Sequence, residues 1–132
     1  MKKIVLIPTY NEKENIASII DAVLSFEAGY HILVIDDGSP DGTANIVRDI
    51  MQNNAGRVFI ECRPGKLGLG TAYIHGFKWA LSKGYEYIIE MDADFSHNPK
   101  DLDRLCAACD EGADVAVGSR YVKGGSTDNW PL

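Results

Sequence analysis

The chain has 132 residues, 45% of them hydrophobic and 24% charged, which is the balance of one globular domain with room for a core. A formal net charge of −6 argues against nucleic acid as a partner, because a phosphate backbone needs a basic footprint. No stretch approaches the roughly 18 consecutive apolar residues that read as a membrane span.

Lys2 and Lys3 precede only four apolar residues, Ile4 to Ile7. That is too short for a signal-peptide core, so it predicts a first strand and a cytoplasmic chain. Pro8 is expected to end the ladder, having no N–H to donate. Asn11, with Glu14 three residues on, predicts a helix cap, and Ile16, Ile19, Ile20, Val23 and Leu24 follow as one apolar stripe. Gly29 is expected to close that helix. His31 to Ile35 is apolar almost throughout and predicts a second strand covered on both faces. Ser39-Pro40 then predicts a cap and first helical turn, with Ala44, Ile46, Val47, Ile50 and Met51 on the buried side.

Arg57 to Glu61 reads as the third strand. A glycine-studded loop, Gly65 to Gly70, leads into a helix with Tyr73, Phe77, Ala80 and Leu81 on one face and Gly84 at its end. Tyr87-Ile88-Ile89 is the fourth strand, Asn98-Pro99 starts another helix that Gly112 ends, and Val115-Ala116-Val117 is a fifth strand. Strict alternation of strand and helix predicts a mostly parallel sheet with helices on both faces, a Rossmann-like α/β layer structure in one domain over residues 1–132.

Three cysteines in such a chain point to free thiols in a reducing compartment. Cys106-x-x-Cys109 has half of a zinc spacing but no second ligand pair. Its helical surroundings assign both to core packing, with no zinc and no disulfide expected.

In a parallel sheet the loops after the strands gather on one edge, where α/β proteins bind ligands. Here that edge is rich in Asp, Gly and Ser. Glu90-Met91-Asp92-Ala93-Asp94 places two carboxylates there, and strand alternation would put Asp92 and Asp94 on one face with Ala93 pointing away. Two like charges so close call for a cation, and Mg²⁺ favours one or two carboxylates plus substrate phosphates. Taken alone the triplet also fits a solvated loop. The first strand is not followed by Gly-x-Gly-x-x-Gly, and neither a P-loop nor a Gly-x-Ser-x-Gly elbow occurs, which excludes the dinucleotide, P-loop and serine-hydrolase patterns.

Pro8-Thr9-Tyr10-Asn11-Glu12, Val34 to Thr43 and Asp92-Ala93-Asp94 resemble, in order and placement, the motifs of the family 2 glycosyltransferases with their GT-A fold. Lys66 to Gly76, Met91 to Pro99 and Gly118-Ser119-Arg120-Tyr121 are similar to the dolichyl-phosphate or polyprenyl-phosphate mannosyltransferase branch. The resemblance covers nearly the whole chain. It implies a metal-dependent, inverting enzyme that moves a hexose, mannose from GDP-mannose, from a nucleotide-diphosphate sugar to a polyprenyl phosphate at a membrane surface. Two alternatives stand beside it: a UDP-sugar donor or a non-lipid acceptor within the same family, and a nucleotide-binding domain without chemistry.

The resemblance also implies roles. Pro8, Tyr10 and Glu12 would line the nucleotide pocket, and Ile35 and Asp37 would hold base and ribose. Asp94, Asp92 and the Ala93 backbone would hold Mg²⁺ or Mn²⁺ against the diphosphate, and Arg120 would pair with phosphate unless it makes an exposed salt bridge. Lys66 would neutralise phosphate or merely solvate its loop. Asp41 fits a helix-terminal charge equally well, and His75 and His97 fit plain surface positions as well as they fit bases. Family members continue with acceptor-side strands, further basic residues and a membrane-associating segment. The resemblance therefore implies a donor-binding half, peripheral to the cytoplasmic face of a membrane in the longer protein.

Overall fold

The computed structural model describes residues 2–94, Pro99 and residues 101–110, the side chains of Asp101 and 108–110 excepted. Strand β1 (Lys3–Thr9) is followed by α1 (Ile16–Leu24), β2 (His31–Asp36), α2 (Thr43–Asn53), β3 (Val58–Cys62), α3 (Leu69–Ser82), β4 (Tyr87–Glu90) and α4 (Asp101–Asp110). The strands lie in the order β3-β2-β1-β4, and every pair is parallel. The expected fifth strand at Val115 to Val117, together with Asn98 and Gly112, lies outside the described residues.

Strand alternation divides the core into two layers. Val5, Ile7, Ile32, Val34 and Val58 pack against the stripes of α1 and α2 and against Leu102 and Cys106 of α4. Ile4, Leu6, Leu33 and Ile35 pack on the other face against Ala72 and Ala80 of α3. Helix α3 comes close because Gly76 has no side chain: a Cβ there would stand 2.9 Å from Leu6 Cδ1 and 3.1 Å from Ile35 Cδ1.

Five local expectations are corrected. Strand β1 runs through Pro8, which pairs in register with Ile35. Met91 N donates to Leu6 O and Asp37 N to Thr9 O, so Pro8 faces the β4 side beyond the last β1–β4 pair, Leu6 with Glu90. Its missing N–H therefore removes no ladder bond. Asn11 does not cap α1. It sits at φ 56, the left-handed region that asparagine tolerates, and Glu12 O instead closes the turn with Asn15 N and Ile16 N. Nor do Ser39 and Pro40 start α2, whose N-cap is Gly42, because the Ser39 hydroxyl is engaged by Asp36. Leu81 is exposed on the outer face of α3. Gly29, at φ 73, belongs to the turn before β2, after α1 has already ended at Leu24.

Helix α4 is tied to the sheet through fully buried Tyr30, whose hydroxyl donates to Asp103 Oδ1 and lies 3.7 Å from the Cys106 sulfur. Burial, with Asp103 and Cys106 beside it, pushes the phenol well above its ordinary range. Cys106 is a buried free thiol, as its spacing predicts. Tyr30→Phe should cost about 0.5–1.5 kcal/mol in urea unfolding. Hydrogen exchange should show the α4 amides losing protection before those of β1 and β2.

Candidate functional site

The carboxyl edge begins at the end of β1. Half-buried Pro8 leads to Thr9, whose hydroxyl donates to Asp36 Oδ1 at 2.7 Å, and to exposed Tyr10. Asp36 is buried and also accepts from Ser39 N at 3.0 Å and Ser39 Oγ at 2.6 Å. Ser39 Oγ in turn accepts from Asn11 N at 2.9 Å. The first aspartate of the Asp36-Asp37 pair is thus used to fasten the loop after β2 to the loop after β1. Asp41 serves the same end, accepting from Thr43 N, the Thr43 hydroxyl and Lys13 N. Desolvation raises its carboxyl, but these hydrogen bonds outweigh that and hold it below the ordinary value. Its placement agrees with the helix-terminal reading.

Asp37 is held differently. Arg63, just after β3, donates Nε to Asp37 Oδ1 at 2.6 Å and a second guanidinium nitrogen to Oδ2 at 2.8 Å, with both side chains only 8% exposed. Leu67 N reaches Oδ2 at 3.3 Å, and the guanidinium also donates to Thr71 Oγ1 and Gly68 O. This fork fixes the glycine-studded loop on the end of β2. It brings the Lys66 ammonium over the Tyr10 ring, 4.9 Å from its centroid, so two residues singled out in the sequence meet at the rim. Ile35 is fully buried on the α3 side, so it can offer a ligand only its backbone.

Beyond β4 the alternation of side chains continues for three residues. Met91 and Ala93 are buried toward α1 and α4, while Asp92 turns toward α3 and accepts from the Tyr73 hydroxyl at 2.7 Å. Asp94 is exposed in the turn that follows. Burial and Asp92 push the Tyr73 phenol far above its ordinary range, so it remains a donor. Glu12 shares this edge. Its carboxyl is raised by desolvation, opposed by the hydrogen bond from Asn15 and reinforced by the charges of Asp94, Asp41 and Asp92. Glu90 is likewise raised, by desolvation and then by Asp92.

Glu12, Glu90, Asp92 and Asp94 thus share one end of this edge, with their negative charges close enough to act on one another. Among the described residues no group of three or more His, Cys, Asp or Glu side chains could by itself hold a metal ion. Asp92 and Asp94 fit a hard divalent ion that takes its other oxygens from a diphosphate and water.

His75 pairs with Glu61 at 3.2 Å on the surface, and His31 lies at the opposite edge of the sheet against Tyr85. Arg120, with its neighbours Gly118, Ser119 and Tyr121, and His97 lie outside the described residues. Sequence reasoning passed over Arg63, although a buried acid at the end of one strand calls for a counter-charge on its neighbour. It also placed Tyr73 only as a core residue.

Residues 4–132 match the family described as Glycosyl transferase family 2. The chain belongs to that family. It is 50% identical over 130 residues to the polyprenol monophosphomannose synthase of Mycolicibacterium smegmatis, covering 98% of this chain and 49% of that protein. It is 43% identical over 131 residues to the undecaprenyl-phosphate mannosyltransferase of Micrococcus luteus, covering 99% of this chain and 53% of the relative. The chain thus spans about half the length of these relatives. Its fold is similar to the mannosyltransferase PcManGT of Pyrobaculum calidifontis, solved with GDP-Man and Mn²⁺, with a TM-score of 0.63 and 24% identity over 70% of this chain and 27% of that one. That likeness bears on the fold, the GT-A arrangement of a parallel sheet with helices. No helix among the described residues is long and apolar enough to cross a membrane.

Removing one partner of the buried ion pair isolates a charge. Arg63→Met should cost about 3–5 kcal/mol in urea unfolding, and adding Asp37→Asn should recover part of that loss.

Glu12 gives a pH signature. A carboxyl raised in the folded state contributes stability that is fully present below its unfolded value, near 4.5, and lost as pH rises through the folded value. In chelator at pH 7, Glu12→Gln should therefore melt above the parent, and the difference should vanish below pH 4.5.

Proposed function

We propose that this chain is the donor-binding part of a metal-dependent, inverting glycosyltransferase that moves mannose from GDP-mannose to a polyprenyl phosphate. The observation that carries the reading is that Asp92 and Asp94, just beyond β4, lie on the same sheet edge as Tyr10, Lys66 and Asp37 within a family 2 chain. The relatives' names support mannose as the sugar and a lipid phosphate as the acceptor. GDP as the carrier follows from the family resemblance.

In this reading Tyr10 offers the base a flat apolar face, and Lys66 moves from that ring to the phosphates. Asp37, held by Arg63, bounds the base and ribose end. Asp92 and Asp94 would hold Mg²⁺ or Mn²⁺, which stabilises charge on the departing diphosphate. Arg120 is assigned to phosphate pairing by resemblance. The acceptor phosphate is mostly ionised at neutral pH, its second pKa being near ~6, so direct displacement needs no strong general base. The residues present then act by positioning rather than by proton transfer. A polyprenyl-phosphate acceptor would bring the reaction to a membrane surface.

Two carboxylates facing a diphosphate repel it unless a cation lies between them. Calorimetry with GDP should therefore show binding in Mn²⁺ that EDTA abolishes, and Asp94→Asn should weaken the Mn²⁺-dependent binding by at least about tenfold. Equal affinity with and without metal would rule out the metal role and favour a nucleotide-binding domain without chemistry.

A further inference from the structure

Asp92 lies two residues past the end of β4, where no ladder fixes its side chain. The buried neighbours Met91 and Ala93 settle which way it turns, toward α3. What it meets there is Tyr73, whose ring packs on the α3-side core and whose hydroxyl donates to Asp92 Oδ1 at 2.7 Å. Helix α3 itself is seated closely on β1 and β2 through Gly76. The phenol thus links the position of the carboxylate to the packing of the helix.

We propose that Tyr73 is a positioning residue of the cation site, orienting Asp92 for the divalent ion that it would hold with Asp94. The proposal rests on the metal reading above. A carboxylate with two rotatable bonds must be immobilised each time it binds metal. A donor already on one oxygen removes most of that cost and aims the remaining lone pairs. Partners of this kind typically change metal affinity by about 10–100-fold. Tyr73 touches neither sugar nor phosphate in this account and acts only through Asp92.

The test is a Mn²⁺ titration followed by electron paramagnetic resonance at saturating GDP, on the parent chain, Tyr73→Phe, Asp92→Asn and the double variant. Tyr73→Phe keeps the ring in the core, so its thermal midpoint should stay close to that of the parent. Its Mn²⁺ dissociation constant should rise at least about tenfold. In the Asp92→Asn background the same change should add nothing. Parent binding with an unchanged Tyr73→Phe constant would overturn this proposal alone, as would additive effects in the double variant. No Mn²⁺ binding by the parent would overturn the metal reading, and the role of Tyr73 with it. Should Tyr73→Phe lose its cooperative melt, the comparison passes to Tyr73→His, whose ring N–H can donate to the same oxygen. Restored folding with near-parent affinity would support the proposal, and folding with tenfold weaker affinity would overturn it.

Discussion

Most of the binding edge hangs on the ion pair between Asp37 and Arg63. Taking two charges out of water is costly, and such a pair persists only where geometry is good and the remaining hydrogen-bonding groups are used. Both conditions are met: the guanidinium faces the carboxylate as a fork and spends its other donors on Gly68 and Thr71. The gain is specificity of shape. A loop carrying Gly65, Gly68 and Gly70 has little side-chain packing of its own, and Gly68 sits at φ 104. Arg63 turns that loop into a fixed wall and sets Lys66 above Tyr10.

The other end of the edge is built more sparingly. Burial of Met91 and Ala93 turns Asp92 toward the Tyr73 hydroxyl, and Asp94 lies exposed in the turn that follows. The Asp37 end is thus fixed by charge pairing inside the protein. The carboxyls of Glu12 and Glu90 are raised first by burial and then by the aspartates beside them.

The order of strands and helices was legible because periodicity reports burial directly, and His31 to Ile35 or Ile16 to Val23 have no other reading. The family was legible because the loop motifs keep their order along the edge. Errors fell where a residue's role depends on its neighbours in space. Pro8 continues β1 because β4 is too short to need its N–H, a fact about a strand some 80 residues away. Ser39 and Asn11 are good helix caps by type, yet Asp36 recruits Ser39 for the loop and Asn11 takes a left-handed turn. Arg63 carried no motif at all, and Tyr73 looked like core because its ring is core. Only its hydroxyl belongs to the site.

The strand order also bears on how the molecule is made. β1 is central, and its partner on one side is β4, with Lys3 opposite Tyr87. The first three strands can pair as soon as β3 is available, whereas β4 can join β1 only once the chain has reached Tyr87. During synthesis the wall formed by Asp37 and Arg63 is therefore complete before Asp92 has a strand to follow. Asp92 and Asp94 enter later, behind β4, so a chain arrested before Tyr87 would carry the Asp37–Arg63 wall without them.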